Sequence, residues 1–119
     1  MGTILVADDD QTCRDSIQKV LEREGHKVHT AENVAGALEA LATYHFDLVV
    51  CDYRMPDKTG IDLLIELRRQ ASLVPVLMIS ACADASVQDA FLRLGALDVL
   101  KKPIRRQELV DRTARLVGG

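Results

Sequence analysis

The stretch Ile4-Leu5-Val6-Ala7-Asp8-Asp9-Asp10 runs four apolar residues straight into three acids, and its reading decides the fold. Four consecutive apolar side chains without alternation are how a strand reads when its sheet is covered on both faces. Acids placed directly after such a strand sit at its carboxyl end, where open α/β sheets collect ligands. The pattern recurs downstream: residues 48–51 (Leu-Val-Val-Cys) lead into Asp52, and residues 76–79 (Val-Leu-Met-Ile) lead into Ser80. A fifth run, 97–100, precedes Lys101, Lys102 and Pro103, whereas 28–31 (Val-His-Thr-Ala) alternates and predicts an edge strand.

Helical spacing fills the intervals. Cys13, Ile17, Val20 and Leu21 recur every three to four residues before Gly25, a natural stop. Asp10 is read as the cap of that first helix, over 12–24. Asn33 caps a second helix carrying Val34, Ala37, Leu38 and Leu41, and Thr59 a third carrying Ile61, Leu63, Leu64 and Leu67. Asp84 or Ser86 opens a fourth, with Val87, Ala90, Phe91 and Leu94 as its apolar stripe. A fifth after Pro103 presents Leu109, Val110, Thr113, Leu116 and Val117. Five strands alternating with five helices predict a doubly wound, five-stranded parallel sheet with right-handed crossovers, (βα)5. No repeat, linker or low-complexity tract interrupts it, so 1–119 is read as one domain.

Composition narrows the function. Apolar residues at 48% and charged residues at 28% suit a packed globule, and a net charge of −3 offers no general attraction to a polyanion. Only four aromatics are present (Tyr44, Phe46, Tyr53, Phe91), too few for a base-stacking platform. Cys13, Cys51 and Cys82 form an odd set with no CxxC, which fits neither a disulfide framework nor a four-ligand zinc site and favours a reducing cytoplasm. Cys51 reads as a small buried hydrophobe, with Cys82 the more exposed of the pair beside the site. His26, His29 and His45 lack metal-ligand spacing. The apolar stretch 73–83 is too short to span a bilayer, and the acids at 8–10 are not a signal-peptide start, so the chain is read as starting here.

Read together, the strand ends converge on Asp8, Asp9, Asp10, Asp52, Ser80, Lys101 and Lys102. Carboxylates gathered so closely repel one another, which implies a cation among them. All-oxygen ligands point to a hard ion held by one or two carboxylates and water, the manner of Mg²⁺. A dication and an ammonium beside a carboxylate form a device for phosphoryl transfer, with an aspartyl phosphate as product.

The segments ILVADDD (4–10), DLVVCDYRMP (47–56), VLMISA (76–81) and KKP (101–103) resemble the receiver domain of two-component response regulators, and the match runs essentially end to end. The resemblance implies a flavodoxin-like fold and phosphorylation of Asp52 by a sensor histidine kinase or phosphotransfer protein. It implies Mg²⁺, with Mn²⁺ able to substitute, bound by Asp8, Asp9, Asp52 and the backbone carbonyl of Arg54. It also implies Ser80 as switch hydroxyl and Lys102 as the lysine contacting the phosphoryl group, before a commonly cis prolyl bond. Two departures stand out. Thr59 replaces a frequent Asp and is read as a helix cap, and Val99 replaces the usual Tyr or Phe three residues before the lysine, which changes the expected switch.

Two other functional classes fit parts of the sequence. Asp8-x-Asp10-x-Thr12 resembles the first motif of haloacid-dehalogenase-type phosphohydrolases, with Asp8 as nucleophile; the chain is short for that fold, and the motif leaves Asp52 unexplained. A pseudo-receiver that binds without taking phosphate is disfavoured by the presence of every acceptor-site residue. A P-loop is excluded because no GxxxxGK[ST] occurs.

Residues 93–119 carry seven basic and three acidic side chains, a local charge of +4 within a chain of −3. That surface, from the fourth helix to the fifth, is expected to meet an acidic effector or a second copy. Neither a membrane nor direct nucleic-acid contact is expected for this domain.

Overall fold

The computed structural model describes residues 2–81 and 84–118. The elements are β1 (Thr3–Ala7), α1 (Gln11–Arg23), β2 (Lys27–Ala31), α2 (Val34–Thr43), β3 (Leu48–Asp52), α3 (Gly60–Arg69), β4 (Val76–Ser80), α4 (Ala85–Arg93), β5 (Asp98–Lys101) and α5 (Arg106–Gly118). The sheet is parallel throughout, in the order β2-β1-β3-β4-β5. The chain starts in the middle, steps outward to β2, and returns across β1 to build β3, β4 and β5. The reversal falls between β1 and β3, which puts the crevice between the residues after Ala7 and those after Cys51, a registered pair.

Period-two alternation divides the core into two layers. Leu5, Ala7, Val49, Cys51 and Met78 face α2, α3 and α4, packing on Val34, Ala37, Leu63, Leu64, Leu67 and Phe91. Ile4, Val6, Leu48, Val50, Leu77 and Ile79 face α1 and α5, meeting Ile17, Leu21 and Leu109. Each large side chain removed from water in this way contributes about 1.5 to 3 kcal/mol. Both faces are therefore covered, as the unbroken apolar runs require. β2 is an edge strand, as its alternation predicts.

The helix starts follow the predicted caps. Asp10 accepts from the Thr12 and Cys13 N–H groups, Asn33 from Gly36, and Asp84 from Val87. Thr59 and Asp62 exchange bonds in a reciprocal capping box. Gly25, at φ 91°, closes α1 in the left-handed region that a side chain disfavours. Gly60 is required for a different reason: a Cβ there would lie 2.7 Å from the Met78 sulfur and 2.9 Å from the Asp52 carbonyl oxygen. The start of α3 thus presses directly on the end of β3.

Several strand and helix ends differ by one residue from those expected, and the shift at β5 leaves outside the strand a residue read as part of it. β5 begins at Asp98 rather than Leu97, and Leu97 is 57% exposed. An edge strand is covered less completely, so its first apolar residue need not be buried. Among the described residues no helix is long and apolar enough to cross a membrane.

Candidate phosphoacceptor site

Asp8, Asp52 and Ser80 are three of the few buried polar residues, at 1%, 6% and 2% exposure, and all stand at the carboxyl ends of the central strands. Lys102 reaches them from the loop after β5. Its Nζ lies 3.0 Å from Asp52 Oδ2 and 3.7 Å from Asp8 Oδ2. The Lys102 N–H donates to the Ser80 carbonyl, and the peptide bond from Lys102 to Pro103 is cis. A small pocket of about 90 Å³ is lined by Asp52, Tyr53, Arg54, Ser80, Ala81 and Lys102.

The acids are close enough together to share one cation. Carboxylate oxygens of Asp8, Asp9 and Asp52 all fall within 4.8 Å of one another. At that distance two unit charges repel by about 3 to 4 kcal/mol at an effective dielectric of about 20. One ammonium against three carboxylates leaves the cluster two charges short of neutrality, the deficit a dication fills. The position of Asp8 points the same way. Its Oδ1 accepts from the Asp10 N–H and its carbonyl from Arg14 Nη1, while Oδ2 is buried with no hydrogen-bond partner among the described residues. A buried carboxylate oxygen in that state is costly, and a bound cation relieves the cost.

Protonation follows from this geometry. Burial raises the Asp52 carboxyl above its ordinary value, helped by the charge on Asp8, and the Lys102 hydrogen bond only partly opposes it. Burial acts against the Lys102 ammonium, yet the hydrogen bond and charge of Asp52, with Asp8 behind it, raise its pKa on balance. Cys13 is pushed up to about 12 by burial and by Asp8, so it remains a thiol. Cys51 is fully buried and donates to the Asp52 carbonyl, the structural role its sequence suggested. Cys82 lies outside the described residues.

The remaining candidates separate cleanly. Asp9 is exposed at the rim and Asp10 turns away to cap α1, so the second acid of the Asp8-x-Asp10-x-Thr12 motif is spent on a helix start. Thr12 is exposed. That removes the geometry on which a phosphohydrolase reading of this motif would depend. The histidines are scattered: His26 accepts from the Gly2 N–H, His29 packs on Tyr44 and Phe46, and His45 lies near Asp47. Of the basic residues after α4 begins, Arg112 and Arg115 are tied to Asp98, and Arg93 to Asp89. Among the described residues Lys101, Arg105 and Arg106 make no ion pair and are exposed.

Two contributors escape the sequence reading. Arg14 holds the Asp8 carbonyl at 2.8 Å from the first turn of α1. Asp57 accepts from the N–H groups of Val34, Ala35 and Lys58. An acid followed by Lys-Thr-Gly reads as an ordinary turn, and nothing local announces that its partners lie on α2.

Known proteins share this arrangement. The model of the response regulator receiver domain family matches residues 4–114. The transcriptional regulatory protein FixJ of Bradyrhizobium diazoefficiens is 36% identical over 91% of this chain and 53% of its own length. The response regulator protein PmrA of Pseudomonas aeruginosa is 39% identical over 95% and 51%. The chain spans about half the length of such curated relatives. Among solved structures, the receiver domain of the Francisella response regulator 1452 superposes with a TM-score of 0.96 at 33% identity, covering 99% of this chain and 98% of that one. The acidic cluster and its lysine correspond to the phosphoaccepting site of that fold.

Proposed function

This chain belongs to the response regulator receiver domain family, a signalling module that turns over its own phosphoryl group, and on that premise we propose how its residues carry the chemistry. Asp52 is the phosphoacceptor, and residues 1–119 form a receiver domain. The observation that carries the assignment is the Lys102 ammonium shared between Asp52 and Asp8 at the mouth of the small pocket.

An Asp52 carboxylate oxygen attacks phosphorus, forming the P–O bond as the P–N bond to a donor histidine breaks, and the imidazole leaves with the electron pair. Lys102 holds its proton throughout and neutralises charge on the phosphoryl oxygens, a role for which its raised pKa suits it. Ser80 donates its hydroxyl to a phosphoryl oxygen. Asp8, Asp9, Asp52 and the Arg54 carbonyl would hold Mg²⁺, or Mn²⁺ in its place, which when bound supplies the positive charge the three acids lack. The donor is a sensor histidine kinase or phosphotransfer protein. The basic surface around Lys101, Arg105 and Arg106, with the α4 to α5 face, is where an effector or a second copy would meet the domain. We also read the setting as the cytoplasm.

The test is covalent. Incubation with a small acyl phosphate and Mg²⁺, borohydride reduction, digestion and mass spectrometry should place the label on Asp52. Asp52→Asn should abolish it. Label on Asp8 would overturn the assignment in favour of a phosphohydrolase-like nucleophile, and an unlabelled parent would favour a pseudo-receiver.

A further inference from the structure

The loop from Tyr53 to Gly60 leaves the site, turns and comes back: the Gly60 N–H donates to the Tyr53 carbonyl at 2.7 Å, and Arg54 pairs with Thr59. Met55 is buried, but the tip residues Pro56, Asp57 and Lys58 are exposed. From that exposed tip Asp57 reaches across the sequence to α2. Its Oδ1 accepts from Val34 N–H at 3.0 Å and its Oδ2 from Ala35 N–H at 2.9 Å. Oδ1 also takes the Lys58 N–H, fixing the carboxylate plane against its own loop.

Those two donors are otherwise orphans. The first N–H groups of a helix lack partners within it, and Asn33 satisfies only that of Gly36. A carboxylate there also faces the positive end of the helix dipole. The helix it grips is rigidly seated, because Val34 and Ala37 are 1% and 0% exposed in the core. Among the described residues Asp57 alone makes hydrogen bonds between this loop and α2. Arg54, whose carbonyl completes the cation site in the reading above, is three residues away.

We propose that Asp57 is a positioning residue of the phosphoacceptor site: by clamping the loop onto the start of α2 it fixes where the Arg54 carbonyl points and so sets the affinity for the divalent cation. The proposal rests on the assignment of that site. A tether of this kind acts as the outer partners of metal ligands do, and its loss should weaken binding by about tenfold.

The experiment is a Mg²⁺ titration followed by backbone amide shifts, at about 0.15 M salt so that distant charges are screened. The parent is compared with Asp57→Ala, Asp57→Asn and Glu32→Gln, with circular dichroism confirming that each is folded. Asp57→Ala should bind about tenfold more weakly, and Asp57→Asn, which keeps one acceptor oxygen, by a smaller factor. Glu32→Gln removes the same charge from an exposed acid just before α2 and should bind like the parent. If Asp57→Ala does not fold, Asp57→Asn alone must still show a loss. Unchanged affinity in a folded Asp57 variant would overturn the proposal, as would an equal loss in Glu32→Gln, which would trace the effect to charge alone. A parent with no saturable shift would overturn the phosphoacceptor reading itself, and this inference with it.

Discussion

Asp47 and Asp8 stand at opposite ends of one sheet and are treated in opposite ways. Asp47, just before β3, accepts from the Thr3 N–H at 2.8 Å through its side chain, while its own N–H donates to the Thr3 carbonyl. Both of these bonds serve the start of β1, and its other carboxylate oxygen lies 3.6 Å from His45 Nε2. Asp8, just after β1, is 1% exposed, yet one of its carboxylate oxygens has no hydrogen bond among the described residues, and the nearest cation is Lys102 at 3.7 Å. The amino end of the sheet spends its acid on stability. The carboxyl end holds uncompensated negative charge in place, and that deficit is what a cation and a phosphoryl group can exploit.

The largest effect should come from removing a carboxylate that serves only the deficit. Asp9 is exposed and its side chain makes no hydrogen bond or ion pair among the described residues. Asp9→Ala should therefore raise the metal-free melting temperature, because it relieves the repulsion among the three carboxylates, while lowering Mg²⁺ affinity by at least about tenfold. In the parent, saturating Mg²⁺ should raise the melting temperature, by mass action worth about 2.7 kcal/mol at a hundredfold excess over Kd. Thermal melts with and without Mg²⁺ check both. A variant that Mg²⁺ still protects as it does the parent would remove Asp9 from the site.

Asp47→Ala should do the reverse. It strands the Thr3 N–H and should cost about 1 to 2 kcal/mol by urea denaturation. Mg²⁺ affinity should not move. If it did, the two ends of the sheet would not be independent, and the contrast drawn between them would fail.

A smaller effect separates Asp52 from the acids that serve the fold. Because the folded state raises its pKa above the ordinary 3.8, Asp52 holds its proton more tightly folded than unfolded. Its contribution is present below about pH 4 and is lost as pH rises through the raised value. Asp57, Asp62 and Asp84 are shifted the other way, chiefly by hydrogen bonds to N–H and hydroxyl groups, and their contribution is lost as pH falls through their lowered values. Those three remain in Asp52→Asn, so the difference between parent and variant isolates Asp52. Without Mg²⁺ the variant should be more stable than the parent at pH 7, with the gap closing toward pH 4. A gap that does not change with pH would mean that Lys102 offsets the burial of Asp52 in full, and one that widens in acid would mean that it more than offsets it.

The fold was legible because its decisive signals are local. Unbroken apolar runs at 48–51 and 76–79 can only be buried on both faces, and Asp10, Asn33, Thr59 and Asp84 cap helices that begin within three residues of them. The site was legible through the same runs, since each ends on a residue of the cluster. What escaped has its cause at a distance or at an edge. The partners of Asp57 are 23 and 22 residues away, and that of Arg14 is a backbone carbonyl six residues back. Leu97 reads as strand but lies at the start of an edge strand, where burial is incomplete.

The smallest expected effect concerns Val99, where the resemblance leads one to look for an aromatic switch. Val99 is half-buried on β5 and packs against the layer that holds Phe91 and Val87. It is β-branched, stiff at χ1 and carries no polar group to exchange partners. A ring does connect the site to α4, but it comes from the loop that follows β3: Tyr53, beside Asp52 and lining the same pocket, has its centroid 5.3 Å from that of Phe91. A phosphoryl group drawing on the Ser80 hydroxyl should therefore move Ala81 and the first turn of α4, with Tyr53 and Phe91 following. Val99 should stay nearly still. Of the loop between, Cys82 and Ala83 lie outside the described residues, so Ala81 and Ala85 to Val87 are the positions to watch. Beryllofluoride with Mg²⁺ should shift the amides of Ala81, Ala85, Ser86 and Val87 well beyond the methyl shifts of Val99. Val99→Ala should preserve that pattern, and Ser80→Ala should diminish it. A rotamer change at Val99 with quiet amides in α4 would show that β5 carries the switch even without a ring, and an undiminished response in Ser80→Ala would show that the hydroxyl does not initiate it.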